Sequence, residues 1–267
     1  AKAVLNELKL ENRTPDLTEW KAMVQRRKEL VQNVHVALVG KYTAVPDAYL
    51  SVTEALRDAG LQQSVNVSVE SVDSEKLCAN SICDLLAGYD AIVVPGGFGG
   101  EGTEGMVVAA KYARENRVPF LAIGQGMQMA VVEAVRNLVG YDDANSVETD
   151  PNTPHPVTML PTTHVTLKDA RLGGQQIKLI GGALGELYGA ETIRERHSNR
   201  YEIETRYMTE LSKLGFRATA VSVEEDYPEA FEMDGHPFYQ AVLFHPEYIS
   251  RPNRPHPLSV GLIEAAK

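Results

Sequence analysis

The sequence predicts an α/β fold: a doubly wound, mostly parallel sheet with helices on both faces, antiparallel edge strands and an N-terminal helical extension. Three observations predict it. Continuous apolar runs of strand length, VHVALVG (34–40), YDAIVVPGG (89–97) and VPFLAIG (118–124), suit strands covered on both sides. Stretches of helical length separate them. After Gly140 the texture changes to shorter alternating pieces divided by Gly, Pro and Asp-rich turns.

Residues 1–32 read as a charged, weakly periodic helical extension. Within it TPDLTEWKAMVQRRKEL forms an N-capped helix on which Trp20, Met23 and Val24 share a face, an appendage that docks on another surface. Residues 33–267 read as the main domain. It opens with the strand at 34–40 and a helix from Asp47 to Ala59, a βα unit. The pattern repeats through VNVSVESV (65–72), a helix around Cys78 to Leu86, the strand at 89–97, a helix from Glu104 to Asn116, the strand at 118–124 and a helix from Met127 to Leu138. The later pieces HVTLKDARL, QQIKLIG, FRATAVSVEE and YQAVLF read as antiparallel edges and excursions completing the same domain. Met127, Met129 and Val132 read as helix packing, not as a cofactor site. No internal repeat or low-complexity tract interrupts the chain.

Composition narrows the function classes. The chain has 267 residues, 43% of them hydrophobic, enough for one sizeable core. A formal charge of −10 leaves no broad basic surface for neutralising phosphates, which argues against nucleic acid as a partner. Cys78 and Cys83 lack the spacing of a metal knuckle or disulfide framework and read as core thiols in a reducing compartment. No apolar run approaches the roughly 20 residues that cross a bilayer, and the first residues lack a signal peptide's apolar centre. The expectation is a cytoplasmic protein that does not engage a membrane.

Chemistry in an open α/β sheet belongs at the carboxyl ends of the strands, and three segments meet that condition. VVPGGFGGEGTEG (93–105) clusters glycines that can aim backbone N–H groups into a pocket; it is a phosphate or oxyanion loop, or simply a strand-to-helix turn. It is not a Walker loop, because no GK[ST] follows. FLAIGQGMQMAVVE (120–133) has the outline of a nucleophile elbow, yet the residue at its corner is Gly124. VLFHPEYISRP (242–252) places His245 and Glu247 two residues apart after a strand, so that a carboxylate can orient an imidazole, or the run is a structural loop. His155, His164 and His236 fall in turns without metal-ligand spacing and read as structural, with no metal and no cofactor implied. Arg194, Arg196 and Arg200 alternate with Glu195 and Glu202 as a solvated strand face would.

Taken in order, these segments resemble the glutaminase domain of CTP synthase, a class I glutamine amidotransferase. VALVGKYTAVPDAYLSVTEAL, KYARENRVPFLAIGQGMQ, DANSVETDPNTPHPV, RERHSNRYE and FHPEYISRPNRPHPL extend the resemblance over nearly the whole chain, and LKLENRTPDLTEWKAMV is similar to the family's connector to its synthetase domain. The resemblance implies several roles. Gly124 stands where the family carries its nucleophilic cysteine. Gln125 replaces a leucine whose backbone N–H holds the oxyanion together with Gly97, beside Phe98. Gln128 and Glu148 match positions binding the amide and α-amino groups of glutamine, Arg200 one near its carboxylate, and His245 and Glu247 the remaining triad members. Ser198 and Asn199 replace an Arg-His pair, and the glycine loop lacks the family's basic residue.

Loss of a triad nucleophile costs on the order of a million-fold in rate, so classical glutaminase turnover is expected to be absent. Four readings stay open: a natural pseudo-glutaminase binding an amino-acid-like ligand or a partner; a repurposed enzyme using His245, Glu247 and Gln125 on a related substrate; a glutaminase domain with a deliberately inactivated nucleophile; or a fragment whose synthetase domain lies on another chain.

Overall fold

The computed structural model describes residues 2–11, 14–45, 47–161 and 170–267. In chain order the elements are α1 (Lys2–Glu7), α2 (Thr18–Lys28), β1 (Asn33–Gly40), α3 (Leu50–Gln63), β2 (Asn66–Asp73), α4 (Ile82–Leu86), β3 (Ala91–Val94), α5 (Thr103–Asn116), β4 (Phe120–Ile123) and α6 (Gln125–Ala134). There follow β5 (Thr158–Met159), β6 (Arg171–Leu179), α7 (Gly182–Tyr188), β7 (Thr192–Asn199), β8 (Glu202–Ile203), α8 (Met208–Lys213), β9 (Phe216–Ser222), β10 (Pro228–Met233), β11 (Tyr239–Val242) and α9 (Pro257–Ala266).

Nine strands form one sheet in the order β2-β1-β3-β4-β11-β10-β9-β6-β7, and β5 pairs separately with β8. The β2-to-β11 half is parallel, and the β10-to-β7 half is antiparallel. All four residues of β3 and of β4 are buried, as continuous apolar runs require when helices cover both faces. Alternation then divides them. Ile92, Val94, Phe120 and Ala122 face a core with α5 and α6, whereas Ala91, Val93, Leu121 and Ile123 face one with α3 and α9. Met127, Met129 and Val132 are buried in the first of these cores, as expected.

Several expectations are corrected. YQAVLF is not an edge: β11 pairs in parallel with β4 at the centre of the sheet, where all four of its residues are buried. Its brevity hid its position. The helix expected from Asp47 starts at Leu50, after a turn in which Ala48 N donates to Val45 O and Leu50 N to Asp47 O. The helix around Cys78 shrinks to Ile82–Leu86, and both cysteines are exposed. There the buried apolar residues are Leu77, Ile82 and Leu86, which turns the thiols outward.

Arg194, Arg196 and Arg200 are exposed, but Glu195 and Glu202 are buried. Glu195 accepts from Tyr188 at 2.8 Å and contacts His256 at 3.1 Å, while Glu202 accepts from Arg171 and Asn199, each at 2.9 Å. Charge alternation on β7 therefore marks two faces, not one solvated face. His155 pairs with Asp143, and His236 meets the Ala113 carbonyl. His164 and most of HVTLKDARL lie outside the described residues. The first two helices bury no residue, and Trp20 and Val24 are exposed.

Candidate functional site

β3, β4 and β11 are neighbours, so the three segments singled out in the sequence emerge side by side at the same end of the sheet. The corner between β4 and α6 is Gly124, with φ +57° and ψ −116°. That backbone is strained for any residue with a side chain, and a Cβ built there would lie 3.2 Å from His245 Nε2 and 3.5 Å from Gly96 Cα. Gly96 itself is required by close approach, since its own Cβ would come within 2.9 Å of His245 Cε1.

His245 is nearly buried and held from three directions. Its backbone N–H donates to the Arg196 carbonyl at 2.8 Å, its ring stacks on Tyr248 at 4.7 Å, and Nδ1 lies 2.7 Å from Glu247 Oε1. Because the carboxylate can only accept, Nδ1 is the nitrogen that donates to it, and Nε2 is the ring nitrogen turned towards the corner. Glu247 is equally enclosed, and its Oε2 has no partner among the described residues.

The glycine loop is clamped residue by residue. Phe98 N donates to the Tyr42 hydroxyl at 3.1 Å and Gly99 N to Glu148 Oε1 at 2.9 Å. Lys41 Nζ donates to the carbonyls of Phe98 and Gly99 at 3.0 and 2.8 Å. Burial pushes the Lys41 ammonium down, against the pull of Glu148, Glu101 and Glu75. With the loop fixed this way, Gly97 N–H and Gln125 N–H have no acceptor among the described residues. Gln125 opens α6, whose N-terminus favours negative charge, so the two amides are suited to holding an oxyanion.

A cavity of about 180 Å³ brings together Gly97, Phe98, Gln125, His245 and Glu247, with Tyr42, Tyr49 and Ser198 completing its wall. Glu148 joins from behind the loop through Gly99 and Gln125. Gln128 is buried on the first turn of α6 with its Oε1 unpartnered among the described residues, and Arg200 is exposed; neither lines the cavity. Arg200 still acts in the neighbourhood of Glu148, because both charges bear on the Tyr201 phenol. A larger hollow of about 690 Å³ beside β6 and the end of β9 lies apart from all three segments.

The glutamine amidotransferase class-I family profile matches residues 44–265. The chain belongs to this family.

Within it, the chain is similar to CTP synthases. It is 43% identical over 268 residues to the CTP synthase of Halalkalibacterium halodurans, covering 98% of this chain and 50% of that protein. It is 45% identical to the CTP synthase of Thermosynechococcus vestitus, covering 100% of this chain and 50% of that protein. The chain therefore spans about half the length of these relatives. The solved glutaminase domain of Trypanosoma brucei CTPS, with bound acivicin, superposes with a TM-score of 0.82 at 34% identity, over 87% of this chain and 93% of that one.

For this class I amidotransferase, sequence reasoning missed the clamp. Lys41 and Tyr42 sit in VGKY immediately after β1, a strand end at the same edge as the other three, and that position was the available signal. It also missed the inward fold of the Gln125 side chain, whose Nε2 donates to Gly99 O at 2.9 Å.

Proposed function

We propose that the chain is a CTP synthase-type glutaminase scaffold that binds an amino-acid-like ligand, glutamine or an analogue, without hydrolysing it. One observation carries this reading. Gly124 occupies an elbow corner aimed at His245 Nε2, and it has no side chain to attack with. The base and its orienter stand 2.7 Å apart, and Gly97 and Gln125, whose backbone N–H groups have no acceptor among the described residues, both line the cavity, which supports a triad that lacks its nucleophile alone. The two exposed cysteines belong to the α4 region and offer no replacement. In this reading Gly97, Phe98 and Gln125, which line the cavity, form the ligand cradle with Glu148, which is hydrogen-bonded to Gly99 and Gln125, while Gln128 and Arg200 lie outside the lining and join it only on the family resemblance.

Residues 1–32 act as a connector, and 33–267 as the amidotransferase domain. The half-length match to CTP synthases supports a synthetase domain or subunit as partner. So do the exposed Leu17, Trp20 and Val24 of the extension. Among the described residues no helix is long and apolar enough to cross a membrane, which is compatible with a cytoplasmic setting.

The test is calorimetry with L-glutamine beside an assay for glutamate and ammonia release, on the wild type and on Gly124→Cys. Binding without release, with release gained by the cysteine variant, is the expected result; no binding and no rescue overturns the reading. A second reading rests on the assembled dyad: His245 takes a proton from water, which attacks a related amide without a covalent intermediate. Slow amide hydrolysis by the wild type, abolished in His245→Ala, would favour it.

A further inference from the structure

Building on the reading of this pocket as an amino-acid cradle, we infer that Gln125 sets its specificity by occupying it: the carboxamide is a tethered guest that a free amino acid must displace. Gln125 is only 4% exposed although it opens a helix, where a long polar side chain is ordinarily solvated. Its amide is folded back over the glycine loop. Nε2 donates to Gly99 O at 2.9 Å and reaches Glu148 Oε2 at 3.4 Å. Glu148 spends its other oxygen on Gly99 N at 2.9 Å, so both oxygens of the cradle's carboxylate are already engaged by the chain itself.

The other end of the same amide is unsatisfied. Gln125 Oε1 is buried with no hydrogen-bond partner among the described residues, and it stands 3.0 Å from where a Cβ on Gly97 would be. A buried acceptor without a donor weakens the conformation that holds it. Gln125 is thus anchored by its nitrogen and unsupported at its oxygen, as a displaceable occupant would be. Gln125 itself lines the cavity of about 180 Å³, so the rotamer of its side chain decides how much of that space and of Glu148 a free amino acid can reach. An apolar residue at 125 would have no N–H to give to Gly99 or Glu148 and would leave the cradle open.

The experiment measures L-glutamine binding to the wild type, Gln125→Leu and Gln125→Met, with the side-chain amide of Gln125 followed by NMR in the wild type. Exchanging one neutral and one long charge-assisted hydrogen bond for an open carboxylate predicts affinity roughly 10-fold tighter in both variants. In the free wild type the Gln125 NH₂ pair is expected to be protected from exchange and shifted away from solvent-exposed amides. Equal affinities in wild type and variants would sink the tethered guest while sparing the cradle. No binding in any protein whose melting curve shows it folded would sink both. A solvent-like, unprotected NH₂ pair in the free wild type overturns the inference even if neither variant folds.

Discussion

Replacing Gly124 by cysteine tests the corner on stability before any turnover is measured. At φ +57° and ψ −116° a side chain strains the backbone by about 1–3 kcal/mol. Loss of glycine's freedom in the unfolded chain offsets about 0.4–1 kcal/mol of this. Contact adds little, because the nearest atom to the new Cβ is His245 Nε2 at 3.2 Å, tight but short of a clash. The net loss of about 1–2 kcal/mol lowers Tm by roughly 2–4 °C for a chain of this size. Gly124→Ala should fall as far, since the strain is in the backbone. The thiol then adds a second readout. Beside the His245 imidazole and at the N-terminus of α6 it should titrate below the ~8.5 of a free cysteine. Scanning calorimetry gives the first quantity and the pH profile of iodoacetamide alkylation the second, both in a background with Cys78 and Cys83 changed to serine. An unchanged Tm in both variants, or a thiol titrating at 8.5 or above, would refute the geometry from which the corner is argued.

Two further outcomes are expected. Burial pushes Glu202 up to about 7, against Arg171, whose single guanidinium is shared with Glu229. The folded chain then holds this proton more tightly than the unfolded one, so its stabilisation is full below about pH 4.5 and is lost towards pH 7, on the order of 3 kcal/mol. Urea midpoints between pH 4.5 and 7.5 should decline less in Glu202→Gln than in wild type; parallel declines would rule this out. Hydrogen bonding from the Ser81 hydroxyl and neighbouring backbone N–H groups holds the exposed Cys78 thiol below its usual range. Ellman's reagent should therefore modify Cys78 faster than Cys83 in the native protein, and Ser81→Ala should narrow the difference, since the backbone N–H groups of Asn80 and Ser81 remain.

The parallel half of the fold was legible because β3, β4 and β1 from Val36 onwards are buried on both faces and so read as apolar runs. β11 was misplaced for the opposite reason: four residues among polar turns resemble an edge, and only pairing with β4 reveals a central strand. PEAFEM went unread as β10 because Glu229 and Glu232 break its apolar pattern, yet both are buried and hydrogen-bonded to cations or amides. Of the site, Gly124, His245 and Glu247 could be read from local order, since each follows a strand closely. Rotamers could not. Whether Gln125 points to solvent or into the cradle depends on Glu148 and Gly99, partners that the sequence places 23 and 26 residues away. The clamp by Lys41 and Tyr42 depends on β1 lying next to β3, a consequence of topology.

The position of β11 bears on how the molecule is made. Ile123 pairs with Val242, so the strand of this sheet that comes last in chain order is wedged between β4, formed much earlier, and β10. A chain emerging from the ribosome can assemble β1 to β4 with their helices, but β4 then waits with one ladder edge unpaired until Tyr239–Val242 arrives. Loop closure over so long a separation is slow, and an open apolar strand is a template for wrong partners meanwhile. His245 follows β11 directly, so the arrival that closes the sheet is also the one that brings the imidazole to Gly124. A chain synthesised only as far as β10 therefore has a corner and a loop but no base, and pocket assembly can serve as a reporter that this sheet has closed.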